Sequence, residues 1–261
     1  KIHRYRHTTV LSAEQALSIM DFNRSRFIRS LPASVPLDII GDVHGEWEPL
    51  QQLLHFLGYD ECGRHPRGRK LVFVGDLCDR GPDSPAVLGW AIEMMANDQA
   101  YAVIGNHELN LLVNDPKDGS GWYFPDRSQD ETRYAPWQHY ADHKRQQLKE
   151  TLAQWPLILQ RDDLRIVHAA WLPDCIYKLS ECAFSSLAEM NQYWEEQFHD
   201  DFRQTAWYDV YKQETENLGI SLEDEHYAMS FQPGIAHYDL LRSCHNPVRA
   251  LTSGIQAVTK T

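Results

Sequence analysis

The 261 residues contain no Gly-Lys dipeptide, which excludes a Walker A loop, and no Gly-x-Gly-x-x-Gly, which removes the Rossmann fingerprint. No cysteine has an arginine six positions on. Positions 68, 84, 181, 188 and 250, where that arginine would stand, hold Gly, Ser, Glu, Ala and Ala, so a cysteine-nucleophile phosphatase loop is ruled out. There is no Cys-x-x-Cys pair and the five cysteines are odd in number, pointing to reduced thiols and a cytoplasmic home. No apolar stretch approaches the roughly 20 residues of a membrane span. The basic start, Lys1 to His7, lacks the apolar segment of a signal peptide, so the Asn23-Arg24-Ser25 sequon reads as a chance match. Positive charge is scarce as well: 25 Lys and Arg against 37 Asp and Glu leave a net −12, which disfavours strong duplex nucleic-acid binding. His107-Glu108 has Leu111 where a zincin helix needs its second histidine. Asn114 to Gly119 has a calcium-loop flavour, but Pro116 and Pro125 fall where ligands are required, so it reads as a surface loop.

What is present is a series of three glycine-flanked motifs: Gly41-Asp42-Val43-His44-Gly45, Gly75-Asp76-Leu77-Cys78-Asp79-Arg80-Gly81 and Gly105-Asn106-His107-Glu108. Each follows an apolar run, Leu37–Ile40, Leu71–Val74 and Ala102–Ile104, and such runs ended by glycine read as buried strands. Helical spacing of Leu50, Leu53, Leu54 and Leu57 follows the first motif, with Gly58 as the stop. Asp83-Ser84-Pro85 is a cap with proline at the start of a second helix carrying Val87, Leu88, Ala91, Met94 and Met95. Strand–loop–helix units predict an α/β architecture with ligand sites at the carboxyl ends of the strands, where all three motifs fall.

The residue types suit one chemistry. Asp42 and His44 are two apart and share a face in extended backbone, and a carboxylate with an imidazole favours a first-row transition metal over Mg or Ca. Asp76 can bridge two cations, and Asn106 offers a neutral carbonyl oxygen. A fourth apolar run, Leu164–Val167, ends in His168-Ala169-Ala170, whose histidine could serve a second metal. Two cations about 3.5–4 Å apart clamp a phosphoryl group and activate a water. Arg80 presents a fork of donors matched to phosphate oxygens. His107 stands at the rim as a candidate acid for a leaving alkoxide, with Asp79 to orient it. Singly, each residue has an ordinary structural role, since Gly-Asp is a common turn and Asn a common helix cap. Their joint occurrence, 34 positions from Asp42 to Asp76 and 30 from Asp76 to Asn106, argues for a dinuclear site.

With these motifs the chain resembles the phosphoprotein-phosphatase branch of the calcineurin-like metallophosphoesterases, whose GDxHG, GDxxDRG and GNHE motifs are all met here. The similarity covers about residues 37–171, and Gly68 to Pro85 is especially similar to bacterial members. These include diadenosine-tetraphosphate hydrolases, small protein phosphatases and the phosphatase module of polynucleotide kinase-phosphatases. The resemblance implies a central β-sandwich flanked by helices and a hydrolase for phosphate esters. It implies Asp42 and His44 on a first metal, Asp76 bridging, and Asn106 and His168 on a second. It also gives Arg80 and Asn106 to phosphate, and His107 with Asp79 to the acid role. Two divalent ions are expected, Mn first, with Fe, Zn, Ni and Co compatible. The family's fourth motif, His-Ala-Gly, appears as His168-Ala169-Ala170. A further family histidine, after a glycine on a late strand, has no counterpart, since Gly-His never occurs. His237 is the nearest substitute, ahead of His245 and His226. The expectation favoured over these is that the chain stops before that strand, because Thr252-Ser253-Gly254 matches what precedes it in bacterial relatives. The family's second phosphate-binding arginine is unplaced, with Arg203 and Arg242 unsupported as candidates.

Elsewhere the sequence says less. Residues 114–137 carry Trp122, Tyr123, Phe124 and Tyr134 and are expected to overhang the site. Residues 138–154 read as helix, and Cys182 to Leu218 as a helical insertion whose Trp194, Phe198, Phe202 and Trp207 belong to a core. One domain, 1–261, is expected, with its motif core at 37–171, its helical cap at about 182–218 and its C-terminal strand region missing. The expected substrate is a phosphoprotein, nucleotide or small phosphoester, a symmetrical dinucleoside tetraphosphate being one alternative. A non-catalytic phosphate-binding module is the alternative from outside the enzyme class.

Overall fold

The computed structural model describes residues 26–181, 184–218 and 231–255. The basic start, the sequon, Cys182 and His226 lie outside them. Two three-stranded sheets carry the fold. The first holds β2 (Leu37–Ile40), β3 (Lys70–Phe73) and β4 (Ala100–Ala102) in parallel, with Leu37 opposite Lys70 and Leu71 opposite Ala100. In the second, β1 (Ile28–Ser30) runs parallel to β5 (Ile158–Arg161), and β5 pairs antiparallel with β6 (Leu164–Val167). Asp162 and Asp163 make the tight turn between β5 and β6.

Side-chain alternation along β3 explains why the sheets stack. Leu71 and Phe73 point to one face, Val72 and Val74 to the other. Val72 and Val103 meet Leu159 and Ile166 of the second sheet, with Leu31 completing a dry seam between the sheets. Leu71 and Phe73 instead join Leu50 and Leu54 of α1 (Trp47–Leu57) and Val87, Leu88, Ala91 and Met94 of α2 (Ser84–Ala96). A parallel strand buried on both faces is therefore nearly all apolar, as β3 is.

The helices begin and end where the sequence signals them. Gly58 closes α1 in the left-handed region, at φ 93°. The Asp83 carboxylate accepts the Ala86 N–H (2.9 Å) to cap α2. The third motif opens α3 (Asn106–Val113). The third strand lies two residues earlier than Ala102–Ile104 predicts. The reason is pairing: Val103 N–H still donates to Phe73 O of β3, but Ile104 N–H turns to Pro156 O, ahead of β5 of the second sheet, so the ladder with β3 ends there. β1 and β5, each too short for a clear pattern, were not foreseen.

The remaining helices among the described residues follow α3. Within 114–154 lie α4 (Gln129–Tyr134) and α5 (Arg145–Leu152). After β6 come α6 (Pro173–Glu181), α7 (Leu187–Phe202), α8 (Trp207–Asn217), α9 (Pro233–His245) and α10 (Pro247–Ser253). Phe198 and Phe202 of α7 pack on Tyr238 of α9, with Tyr208 and Tyr211 of α8 against them. Glu195 of α7 takes Arg242 (2.6 Å) and Arg249 (2.9 Å), tying α7 to α9 and α10. Among the described residues, no helix is long and apolar enough to cross a membrane.

On β2, Asp38 accepts the Tyr59 O–H (2.8 Å) and the Arg69 guanidinium (2.6 Å from Nε), pinning the edge strand to the segment that leads into β3. The Arg69 hydrogen bond holds the Asp38 carboxyl below its ordinary value, against the opposing push of burial and with help from Tyr59. A depressed carboxyl stabilises the fold above its unfolded-state value, about 3.9, and that contribution is lost as pH falls through the folded value. The urea midpoint of the wild type is expected to drop between about pH 5 and pH 3. Asp38→Asn should lower it at pH 7 and shrink the acid-side drop. Parallel pH curves for the two proteins would contradict this role.

Candidate metal centre

Close approach of backbone brings the motifs together. A side chain at Gly75 would come within 2.5 Å of Gly105 N, and one at Gly105 within 2.2 Å of Asp76 Oδ1. Glycine at both positions lets the loops after β3 and β4 touch. The Glu108 side chain then fastens them. It is fully buried and accepts the N–H groups of Leu77 (2.7 Å), Asp76 (2.9 Å) and Gly105 (3.0 Å), two from the loop after β3 and one from the loop after β4. Burial, joined by the neighbouring Asp76 charge, pushes its carboxyl up, and the amide donors pull the other way.

Asp76 sits at the centre. Its Oδ1 accepts the His107 N–H (3.0 Å), while Oδ2 lies 3.2 Å from His168 Nε2 and 3.9 Å from His107 Nε2. Burial would raise this carboxyl, but His168 and His107 hold it below its ordinary value. His168 is in turn pushed up to about 9, the Asp76 carboxylate outweighing a burial that acts downward. Each of two histidines is oriented through its other nitrogen. Nδ1 of His44 donates to Cys78 O (3.0 Å) and Nδ1 of His168 to Val74 O (2.6 Å), leaving Nε2 of each for the site. That tethering is the arrangement metal-bound imidazoles show. The Asn106 amide end lies 3.3 Å from His168 Nε2, 3.3 Å from Asp76 Oδ2 and 3.2 Å from the Thr252 carbonyl oxygen. Two of these three are oxygens that only accept, so a metal-free amide turns its NH2 to them, and a cation would draw its oxygen instead. Nitrogen and oxygen donors converging in this way fit a first-row divalent ion.

The ligand atoms of His44, Asp76 and His107 all lie within 4.8 Å of one another. Asp42 stands at the exposed edge, its carboxylate 4.0 Å from His44 Nε2. Arg80 Nη1 is 3.2 Å from the same nitrogen, and the Arg80 N–H is held by Gly119 O (3.0 Å). His107 Nδ1 donates to Asp79 Oδ2 at 2.6 Å. Burial lowers the His107 value, but the Asp79 carboxylate more than compensates, so the imidazole is raised overall. Of the six non-glycine residues described at positive φ, four are His44 (48°), Asp76 (53°), Asp79 (73°) and Arg80 (68°), a concentration of strain at one place.

The structure does not bring His237 to this cluster. It lies on α9 with its ring stacked on Trp207 of α8, 4.4 Å between centroids, so helix packing rather than ligation occupies it. His245 is likewise set among Trp194 and Phe198. Arg242 pairs with Glu195, and Arg203 with Asp200.

A family profile for Calcineurin-like phosphoesterase matches residues 35–230. The chain belongs to the calcineurin-like phosphoesterase family. Divalent metal ions are therefore implied for the cluster around Asp76. This calcineurin-like phosphoesterase is 51% identical over 73 residues to the asymmetrical bis(5'-nucleosyl)-tetraphosphatase PrpE of Halalkalibacterium halodurans, covering 27% of this chain and 30% of that protein. It is 36% identical over 135 residues to the symmetrical bis(5'-nucleosyl)-tetraphosphatase of Chromobacterium violaceum, covering 52% of this chain and 43% of the relative. The chain thus spans less than half the length of these curated relatives. A solved cold-active protein-tyrosine phosphatase of a psychrophilic Shewanella aligns over 74% of this chain and 57% of its own, at 20% identity and a TM-score of 0.42.

Three contributors to the site were not foreseen. Glu108 is the last letter of the third motif, and its spacing after Gly105 is that of a side chain reaching back over a helix start. The Thr252 carbonyl carries no side-chain signal at all. Trp122, expected to overhang the site and either pack onto the domain or contact substrate, instead donates its indole N–H to Asp79 Oδ1 at 2.6 Å. Removing the Glu108 carboxylate leaves several buried amides without partners, so Glu108→Ala should cost about 2–4 kcal/mol in urea unfolding. A midpoint unchanged from wild type would mean that those amides have other partners.

Proposed function

We propose that this protein hydrolyses phosphate esters with water as the nucleophile, as one catalytic domain working on two divalent ions. The observation that carries the proposal is the buried Asp76 Oδ2 facing His168 Nε2 at 3.2 Å, beside a His107–Asp79 pair joined at 2.6 Å. A cation site next to a histidine backed by a carboxylate supplies both halves of ester hydrolysis. Asp42 and His44 would hold the first ion, Asp76 would bridge, and Asn106 and His168 would hold the second. Mn is the proposed metal, with Fe, Zn, Ni and Co compatible with the same donors. When bound, such ions polarise the phosphoryl oxygens and lower the pKa of a water.

The chain's own groups do the rest. Arg80 offers its guanidinium to the phosphoryl oxygens, and the Asn106 amide lies alongside. As the water oxygen forms its bond to phosphorus, the ester P–O bond breaks and its electron pair passes to the departing oxygen. His107, held as imidazolium by Asp79, gives that oxygen a proton from Nε2, and the proton shed by the water restores the imidazolium. From a phosphomonoester the products are an alcohol and inorganic phosphate; from a dinucleoside tetraphosphate, whose scissile bond is a phosphoanhydride, they are two nucleotides. Of the substrates, a dinucleoside tetraphosphate is supported by the names of the relatives, and a phosphoprotein is the alternative. A cytoplasmic setting, with Cys62, Cys78, Cys175 and Cys244 as free thiols, is part of the same proposal.

The test is hydrolysis of p-nitrophenyl phosphate by the metal-stripped protein, titrated with Mn, Ni, Co, Zn and Mg. Activity should return and saturate near two ions per chain, and no activity with any metal would defeat the proposal in favour of a phosphate-binding module. Asp76→Asn should lower turnover of p-nitrophenyl phosphate about 100-fold or more and lose metal, whereas His107→Asn should keep its metal and lower turnover about 100-fold or more on an alkyl phosphate, whose leaving group needs the proton. Equal metal loss from His107→Asn would make His107 a ligand, a role its place within 4.8 Å of His44 and Asp76 also permits. A parallel assay on diadenosine tetraphosphate and a phosphopeptide separates the two substrate classes.

A further inference from the structure

Asp79 is fully buried, and its two carboxylate oxygens have different partners. Oδ2 receives the His107 Nδ1–H and Oδ1 the Trp122 Nε1–H, each at 2.6 Å. Its own N–H is taken by Ser84 Oγ (2.9 Å). A buried carboxylate with one donor on each oxygen cannot rotate without leaving one of them unpaired. The indole is itself immobilised. Trp122 is buried, its ring meets Tyr123 and Tyr140 edge-on at 5.5 and 5.8 Å, and its carbonyl accepts the Tyr140 N–H (3.0 Å). One residue earlier, Gly121 N–H is held by the buried Asp130 carboxylate (2.9 Å), which Arg127 also grips (3.0 Å).

We propose that Trp122 is a positioning residue: its indole N–H holds Asp79 in the one orientation that fixes the His107 ring through its Nδ1–H. The segment after the third motif thereby reaches into the catalytic pair. The inference rests on the proposed ester hydrolysis for its kinetic consequence but not for its structural one. Without the indole donor, Oδ1 competes for the His107 Nδ1–H, the carboxylate turns, and His107 Nε2 no longer presents its proton to a fixed point. The loss falls on substrates that need that proton. An alkyl phosphate must leave as an alcohol, whereas p-nitrophenolate leaves as a stable anion.

The experiment compares Trp122→Phe with benzothienylalanine at position 122, an isostere of tryptophan without the N–H donor, using Tyr123→Phe as a packing control. Among the described residues the buried Tyr123 hydroxyl meets no hydrogen-bond partner, so the control removes none of those seen. Manganese content, thermal midpoint, and turnover of an alkyl phosphate and of p-nitrophenyl phosphate are measured for each. Both position-122 variants should lose about 10- to 100-fold on the alkyl ester and under about threefold on the nitrophenyl ester. The 15N spectrum of the metal-free wild type should show His107 with a protected Nδ1–H, weakened in both variants and intact in Tyr123→Phe. An isostere that matches wild type on both esters and keeps the Nδ1–H signal overturns the proposal, because packing alone then accounts for Trp122. Should the wild type hydrolyse neither ester, the proposed function fails and the 15N comparison alone still decides whether the indole holds Asp79 and His107.

Discussion

The site depends on one buried carboxylate, Glu108, that is not among the candidate ligands. Glu108 gathers amides from the loop after β3 and from the turn into α3, and it does so where no water can substitute. The loops it joins are strained. Asp76 and Asp79 adopt left-handed backbone that non-glycine residues avoid, at a cost of order 1–3 kcal/mol each. Such conformations persist only where surrounding contacts over-determine them. Glu108 supplies that from below, the Gly75–Gly105 contact from the side, and the Ser84 hydroxyl from the start of α2.

That strain has a chemical result. A side chain on regular strand points to one face of the sheet, but a left-handed residue at the strand end turns it along the axis instead. Asp76 is thereby aimed at a point that His168 reaches from the second sheet and Asn106 from a helix start. His107, the next residue on α3, comes within reach of both Asp76 and Asp79. The donors converge because three different elements end there, and backbone carbonyls, Cys78 O and Val74 O, rotate the two imidazoles to face inward.

Much of this could be read from the letters alone. Asp42, His44, Asp76, Asn106 and His168 could be picked out as candidates because each follows an apolar run of strand length, and Gly58 and Asp83 marked helix ends through backbone chemistry that acts locally. What could not be read depends on long-range contact. Trp122 looks like any loop aromatic until Asp79, 43 positions away, comes to rest against its N–H. Thr252 contributes a main-chain oxygen, identical in every residue. His237 had a tolerable spacing from His168 but sits on a helix whose partner, Trp207, no periodicity in the sequence could name. The short strands β1 and β5 take their identity from pairing with each other and with β6, not from any alternation of their own.

The His168 tether has a mechanical consequence. Its imidazole belongs to the end of β6 in one sheet and donates to Val74 O at the end of β3 in the other, so it acts as a bolt across the sandwich. The gap between the sheets is filled by Leu31, Val72, Val103, Leu159 and Ile166, none of which approaches the cluster as a ligand. Those side chains set the thickness of the seam, and the seam sets how far His168 stands from Asp76. Packing in a dry interior thus works as a gauge block for the spacing of the donors, and a methyl group added to or taken from that layer is transmitted to the site as a displacement.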